Sequence, residues 1–160
     1  MKRIVIGTDG SPDAGAAVDD AVELAQSLGA SVTFVYARIN PSPLLGEPYY
    51  QRELDAEITH SREVVEDAIA RAAAAGVDAD YEILDGTPAD AVIGVAETHD
   101  ADLIVVGSRG LGAMQSAIFG SVSRALVTRS QRPVLVVKDP SRRQPKRDHA
   151  LVDDGTVLRG

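Results

Sequence analysis

The sequence contains no cysteine in its 160 residues, which excludes disulfide bonds and thiolate chemistry and is typical of a cytoplasmic protein. No apolar run approaches the roughly 20 residues of a membrane-spanning helix, so we expect no membrane association. Met1-Lys2-Arg3 leads directly into a short strand, so we expect no signal peptide. The histidines lack the spacing of metal ligands, and a metal enzyme is not expected; they are His60, His99 and His149.

Positive charge is scarce as well. The chain has 16 Lys and Arg residues against 24 Asp and Glu residues, a net charge of −8. This balance argues against binding to nucleic-acid backbones, which requires clustered cations. Two explanations of the acidic composition stay open, namely adaptation to high salt and the codon usage of a GC-rich genome.

Short apolar runs alternate with helix-like stretches along the chain. The strands are predicted at 3–7, 31–37, 80–84, 103–107 and 133–137, and the helices at 12–28, 54–75, from 87 onward and at 121–128. Strands that alternate with helices predict an α/β fold with one parallel sheet and helices on both faces. The length fits one domain, which we place at residues 1–138.

Two segments fall outside this alternation. Residues 40–50 contain three prolines, which exclude a regular helix or a central strand. This segment is either a lid or binding loop, or a surface loop whose apolar side chains pack on the domain, namely Leu44, Leu45, Tyr49 and Tyr50. Residues 139–160 are polar, and we expect a flexible C-terminal tail.

A glycine-rich segment follows the most apolar strand and leads into a helix. Ligands of open α/β sheets bind beyond the carboxyl ends of the strands, and a helix N-terminus there offers free N–H groups to phosphate. Glycines at 107, 110 and 120 permit positive φ angles and close approach of the backbone to a ligand. Ser121, Ser123 and Arg109 add polar groups. The alternative is that these glycines only allow tight packing of a helix.

The spacing differs from a P-loop, which requires a lysine, and from the dinucleotide fingerprint. The pattern Gly107-x-x-Gly110, nine residues, then Gly120-Ser121 is similar to the ATP-binding motif of the universal stress protein family. The flanking residues 102–110 and 132–137 resemble that family too, as do residues 4–11. The resemblance extends over about residues 2–138.

The resemblance implies an adenine nucleotide alpha-hydrolase-like fold, with five parallel strands in the order 3-2-1-4-5. The first and fourth strands then flank a crevice, with Asp9 near the ribose and adenine and the glycine-rich segment around the ribose and phosphates. Thr8, Ala37 and Val106 line the adenine pocket in this scheme. The implied nucleotide-binding residues are Thr8, Asp9, Ala37, Val106, Gly107, Arg109, Gly110, Gly120, Ser121, Val122 and Ser123.

The resemblance also implies function and assembly. The expected ligand is ATP, with or without Mg²⁺, and the expected role is that of a nucleotide-dependent stress-response factor or switch. Only Asp9 and Asp13 are candidates for a general base, so we expect slow turnover or none, and enzyme activity stays open. A stress protein that acts through protein contacts alone and a slow ATPase are the alternatives. The apolar fifth strand, Val134–Val137, predicts a homodimer unless the tail covers this edge.

Two other classes of protein are less consistent with the sequence. A response-regulator receiver domain would use Asp9, Asp85 and Lys138, but it has no use for the glycine pattern. An adenylyl-transferring enzyme would carry a His-rich signature at the phosphate loop, and the sequence has none there.

Overall fold

Within residues 1–111 and 119–142, five parallel strands form one sheet in the order β3-β2-β1-β4-β5. The computed structural model describes residues 1–111 and 119–142. The strands are β1 (Arg3–Gly7), β2 (Ser31–Arg38), β3 (Ala79–Asp85), β4 (Leu103–Gly107) and β5 (Val134–Val137). The predicted fold class and strand order are therefore confirmed.

Helices cover both faces of this sheet. They are α1 (Pro12–Leu28), α2 (Tyr49–Ala74), α3 (Pro88–Thr98) and α4 (Ser121–Arg129), with 3₁₀ turns at Pro43–Leu45 and Pro140–Arg142. Successive side chains of a strand point to opposite faces. Ile4 and Ile6 accordingly lie in the core cluster beneath α1 and α2, whereas Val5 lies in the cluster beneath α3 and α4. All three side chains are fully buried.

Helix α1 shows why the local sequence folds as it does. The Ser11 hydroxyl accepts a hydrogen bond from Ala14 N at 3.3 Å and caps the first turn, and Pro12 occupies the first helical position. Gly29 ends the helix in the left-handed conformation, with φ 62° and ψ 33°, which favours glycine. Both ends lie where the sequence predicts them.

The segment before α2 departs from the expectation. Helix α2 begins at Tyr49 and not at residue 54, because Pro48 stands at the N-cap, where it interrupts no helical hydrogen bond. The prediction that the apolar side chains of this segment pack on the domain is wrong for Leu44 and Tyr49, which are 95% and 60% exposed. The lid or binding-loop role of residues 40–50 stays a prediction.

The predicted C-terminal tail lies mainly outside the described residues, which end at Arg142 in the 3₁₀ turn after Asp139. The division into a domain at 1–138 and a tail at 139–160 therefore stays a prediction. Among the described residues, no helix has the length and apolar character that crossing a membrane requires.

Candidate functional site

A crevice of about 640 Å³ opens at the carboxyl ends of β1 and β4. These strands are neighbours, with Ile6 aligned to Val105. The chain leaves β1 for α1 on one face of the sheet and leaves β4 for α4 on the other. The crevice thus occupies the point where the strand order reverses, the usual ligand-binding position in a doubly wound sheet.

The structure brings all the predicted nucleotide-binding residues to this crevice. Its wall includes Thr8, Asp9, Ala37, Val106, Gly107, Arg109, Gly110, Gly120, Ser121, Val122 and Ser123. Their individual roles toward a nucleotide stay predictions. Residues separated by more than 100 positions in the sequence nevertheless share one cavity.

Asp9 connects the two sides of the crevice. Its Oδ1 accepts a hydrogen bond from Ser11 N at 2.9 Å, and its Oδ2 accepts one from Leu111 N at 3.1 Å. Gly110 permits this approach, because a Cβ at that position would lie 2.5 Å from Asp9 Oδ2. A carboxylate has about four acceptor sites, so Asp9 retains capacity for the hydroxyl groups of a ligand.

The N-terminus of α4 faces the crevice. No side chain in the described part of the chain caps it, and Gly120 N donates to Ser108 O at 2.6 Å. The first N–H groups of a helix have no partner within the helix, and the helix dipole makes this end favourable for anions. The start of α4 therefore has the donors that a phosphate requires.

The glycines of this segment serve close approach rather than unusual backbone angles. Gly120 has φ −74°, and the positive-φ glycines of the described chain lie elsewhere, so the predicted use of positive φ is wrong at 107, 110 and 120. A Cβ on Gly107 would lie 2.6 Å from both Ala14 N and Asp13 C. Gly107 thus allows tight packing of α1, as the alternative interpretation held for that position.

The Ser123 hydroxyl is engaged with the backbone. It lies 3.0 Å from Ser108 O and 3.1 Å from Gly120 O, and the side chain is buried. A hydroxyl has one proton to donate, so the two carbonyls share it. Ser123 thereby fixes the first turn of α4 against the end of β4.

Asp13, a sequence candidate for a general base, does not line the crevice. The side chain is 2% exposed and accepts hydrogen bonds from the Ser108 hydroxyl and, at 3.4 Å, from Asp139 N. Arg109 Nε lies 3.7 Å from Asp13 Oδ2. Asp13 is therefore an internal partner of the glycine-rich segment.

Two wall residues that the sequence did not single out are Tyr36 and Glu57. The Tyr36 hydroxyl donates to Glu57 Oε1 at 2.9 Å. Burial of the phenol, and then the Glu57 carboxylate beside it, raise the pKa of Tyr36 well above its ordinary value. Helix α2 carries many acidic residues, so no local signal in the sequence distinguishes Glu57 from the others.

Apolar groups make up much of the remaining wall. They include Val35, Val92 and Pro88, and three exposed side chains, Ile39, Leu111 and Phe119. Val35 belongs to β2, and Pro88 and Val92 belong to α3, and no local pattern in the sequence marks any of these side chains as part of the wall. A flat apolar group would fit against them.

Charge is distributed unevenly across the crevice. The acidic side chains of the wall are Asp9, after β1, and Glu57, which contacts β2 through Tyr36. The cationic side chain, Arg109, follows β4 beside the start of α4. One side of the cavity thus suits an anion, and the other suits groups that donate hydrogen bonds. Within the described residues, no three His, Cys, Asp or Glu side chains form a group that could hold a metal ion.

The fold and this crevice define a doubly wound α/β domain with an anion-suited cavity at its switch point. The model of the universal stress protein family matches residues 1–138. A universal stress protein of Thermus aquaticus is 36% identical over 138 residues, which cover 86% of this chain and 99% of the relative. The chain belongs to the universal stress protein family.

Solved structures agree with this assignment. The universal stress protein UspA of Lactobacillus plantarum superimposes with a TM-score of 0.76 at 28% identity, covering 85% of this chain and 97% of that one. A universal stress protein crystallised in complex with cAMP gives a TM-score of 0.63 at 29% identity, covering 85% and 96%.

Proposed function

We propose that this chain binds ATP in the crevice between β1 and β4 and acts as a nucleotide-dependent stress-response factor. The observation that carries the proposal is the start of α4, which faces the cavity without a side-chain cap in the described residues. The phosphates would lie there beside Arg109, and the ribose near Asp9. The adenine would lie between Ala37 and Val106. The relative in complex with cAMP supports an adenine nucleotide as the ligand.

The test is isothermal titration of the purified chain with ATP and with AMP, together with mass spectrometry for nucleotide retained through purification. We expect saturable binding of ATP at one site per chain. Absence of binding of both nucleotides at millimolar concentration would overturn the proposal and leave a protein that works through protein contacts. A titration with GTP serves as the control for base recognition.

We propose further that turnover is slow or absent. Hydrolysis requires a positioned base or water, usually with Mg²⁺. Neither candidate base is placed for this step, because Asp9 would lie beside the ribose and Asp13 is buried and does not line the crevice. Mg²⁺ usually binds through one or two carboxylates and the phosphates of its nucleotide, so it would arrive bound to ATP. Phosphate release measured with and without Mg²⁺ should stay near background, and rapid turnover would make the protein an ATPase.

A homodimer through β5 is part of this proposal. Among the described residues β5 pairs only with β4, and Leu135 is 40% exposed on the strand. An unpaired apolar edge favours pairing with a second copy. Leu135→Lys should convert a dimer into a monomer in sedimentation velocity, whereas a monomeric wild type would contradict this.

The absence of cysteine supports action in the cytoplasm.

A further inference from the structure

Asp13 is a buried carboxylate that the proposed function does not use. The side chain is 2% exposed, although it belongs to the first turn of α1 beside the crevice. Burial of a charge is costly unless hydrogen bonds and opposite charge compensate it. The contacts of Asp13 therefore show what this carboxylate does in the fold.

Three of these contacts lead to the ends of β4 and β5. The Ser108 hydroxyl donates to Oδ2, and Arg109 Nε lies 3.7 Å from the same oxygen. Asp139 N, just beyond β5, donates to Oδ1 at 3.4 Å. The carboxylate also benefits from the dipole at the N-terminus of α1. One side chain thus connects α1 to the segments that follow β4 and β5.

Ser108 extends this connection to α4. Its N–H donates a hydrogen bond to Val137 O at 2.6 Å, and its carbonyl oxygen accepts one from Gly120 N at 2.6 Å. The same carbonyl accepts the Ser123 hydroxyl at 3.0 Å. Ser108 is 1% exposed, so these bonds are shielded from water. The position of the first turn of α4 therefore depends on Ser108, which Asp13 holds.

We propose that Asp13 is a positioning residue for the phosphate end of the nucleotide site. It holds Arg109 directly and the start of α4 through Ser108, in the arrangement that the phosphates need. This inference rests on the proposed binding of ATP. It concerns affinity for the phosphate groups and not for the base or the ribose.

The sign of one substitution tests the idea. Asp13→Asn keeps the shape of the side chain and removes its negative charge. By charge alone, loss of an anion near the phosphates should strengthen ATP binding. Positioning predicts the opposite, a loss of about tenfold or more for ATP, because the carboxylate charge beside Arg109 is removed and the contact with Ser108 is weakened.

A ligand series separates positioning from a general structural effect. ATP, AMP and adenosine are titrated against wild type, Asp13→Asn and the control Asp19→Asn. Asp19 Oδ1 pairs with Arg71 at 2.9 Å, so the control also breaks an arginine contact of α1 but outside the crevice. We expect the Asp13→Asn loss to be largest for ATP and smallest for adenosine, and Asp19→Asn to bind all three like wild type. An equal loss for all three ligands, or tighter ATP binding, would overturn the inference.

A second variant covers the case in which Asp13→Asn does not fold. Ser108→Ala removes the hydroxyl that donates to Asp13 and leaves the Ser108 backbone contacts possible. It should show the same order of losses, smaller in size, and equal binding of ATP by this variant and wild type would count against the inference. In an Arg109→Ala background, Asp13→Asn should cost less than in wild type. If wild type binds none of the three ligands, the proposed function itself fails.

Discussion

Two cavities of similar size lie on either side of Thr8, and they differ in what they can bind. The crevice at the strand ends has about 640 Å³, and the groove between α1 and α2 has about 730 Å³. We call the second cavity the acidic groove because its wall includes Asp19, Asp20, Glu63, Asp67 and Asp139. The cation in its wall, Arg71, already pairs with Asp19 and Asp67.

The difference shows that volume does not define a nucleotide site. A phosphate in the acidic groove would face carboxylates, and repulsion between like charges would oppose it. In the crevice it would face the start of α4 and Arg109. Each wall has one arginine that is paired with aspartate, so the backbone N–H groups at the start of α4 and the smaller number of carboxylates distinguish the crevice. Larger volume does not compensate for the wrong charge.

The largest expected effect is on binding in the crevice. Gly120→Val should weaken ATP binding about 100-fold or more, because its side chain would occupy space beside the first turn of α4 and displace several charge-assisted hydrogen bonds. A Cβ there meets Ser108 O and Arg109 Cα at 3.4 Å, so the fold should tolerate the change. Titration and thermal melting measure the two effects. Gly94→Val, at an exposed position of α3, is the matched control. Unchanged ATP affinity would shift the proposed phosphate site away from α4.

A second prediction concerns the stability of the crevice wall. Gly107→Ala should lower the free energy of unfolding by about 1–3 kcal/mol, because the added Cβ would overlap the backbone of Asp13 and Ala14. Urea denaturation measures the loss. Gly94→Ala, with no atom within 4 Å of the added Cβ, should instead stabilise the protein by up to about 1 kcal/mol. Equal effects at the two positions would contradict the packing role of Gly107.

The sequence predicts the fold well where local signals determine it. Ser11, Pro12 and Gly29 mark both ends of α1, and the apolar run 103–107 marks β4. The start of α2 differs from the predicted residue 54, because a proline at an N-cap gives the same signal as a proline in a loop. Only the tertiary contacts of the residues after Pro48 show whether this proline begins a helix or lies in a loop.

The sequence predicts the glycine-rich motif of the site, but it does not predict the tertiary contacts that hold the wall of the crevice. The glycine spacing predicts an anion site, and the structure places the glycine-rich segment in the wall of the crevice. The contact between Tyr36 and Glu57 depends on how α2 packs on β2, which no local pattern encodes. The sequence makes Asp13 a candidate base through its carboxylate, but its burial follows from tertiary packing of α1 against the end of β4.

A third prediction addresses the opposite side of the crevice. Tyr36→Phe should cost about 0.5–1.5 kcal/mol near neutral pH, because it removes the hydrogen bond to Glu57. Burial and Glu57 raise the pKa of the Tyr36 phenol, so the folded state holds this proton more tightly than the unfolded chain. Wild type should therefore lose stability above about pH 10, and its advantage over Tyr36→Phe should shrink there. Urea denaturation of wild type and Tyr36→Phe at neutral pH and above about pH 10 measures the two free energies of unfolding. The same difference between the two proteins at both pH values would contradict the prediction.

The smallest effect is expected in the acidic groove. Asp67→Asn removes one of the ion pairs of Arg71, in which Arg71 Nη2 lies 2.8 Å from Asp67 Oδ2. Both side chains are more than a third exposed, so the free energy of unfolding should change by about 0–1 kcal/mol. ATP affinity should remain within about twofold of wild type, since this groove is not the proposed nucleotide site. A large gain in ATP binding would show that the two cavities are not independent.

The contact between Asp9 and Gly110 has a consequence for sequence variation. Because a Cβ at 110 would lie 2.5 Å from Asp9 Oδ2, the two positions constrain each other across 101 residues of chain. A relative with a larger residue at 110 must move the carboxylate or replace it with a shorter side chain. In an alignment of relatives these two positions should therefore covary, and the pair would mark which relatives retain this form of the crevice.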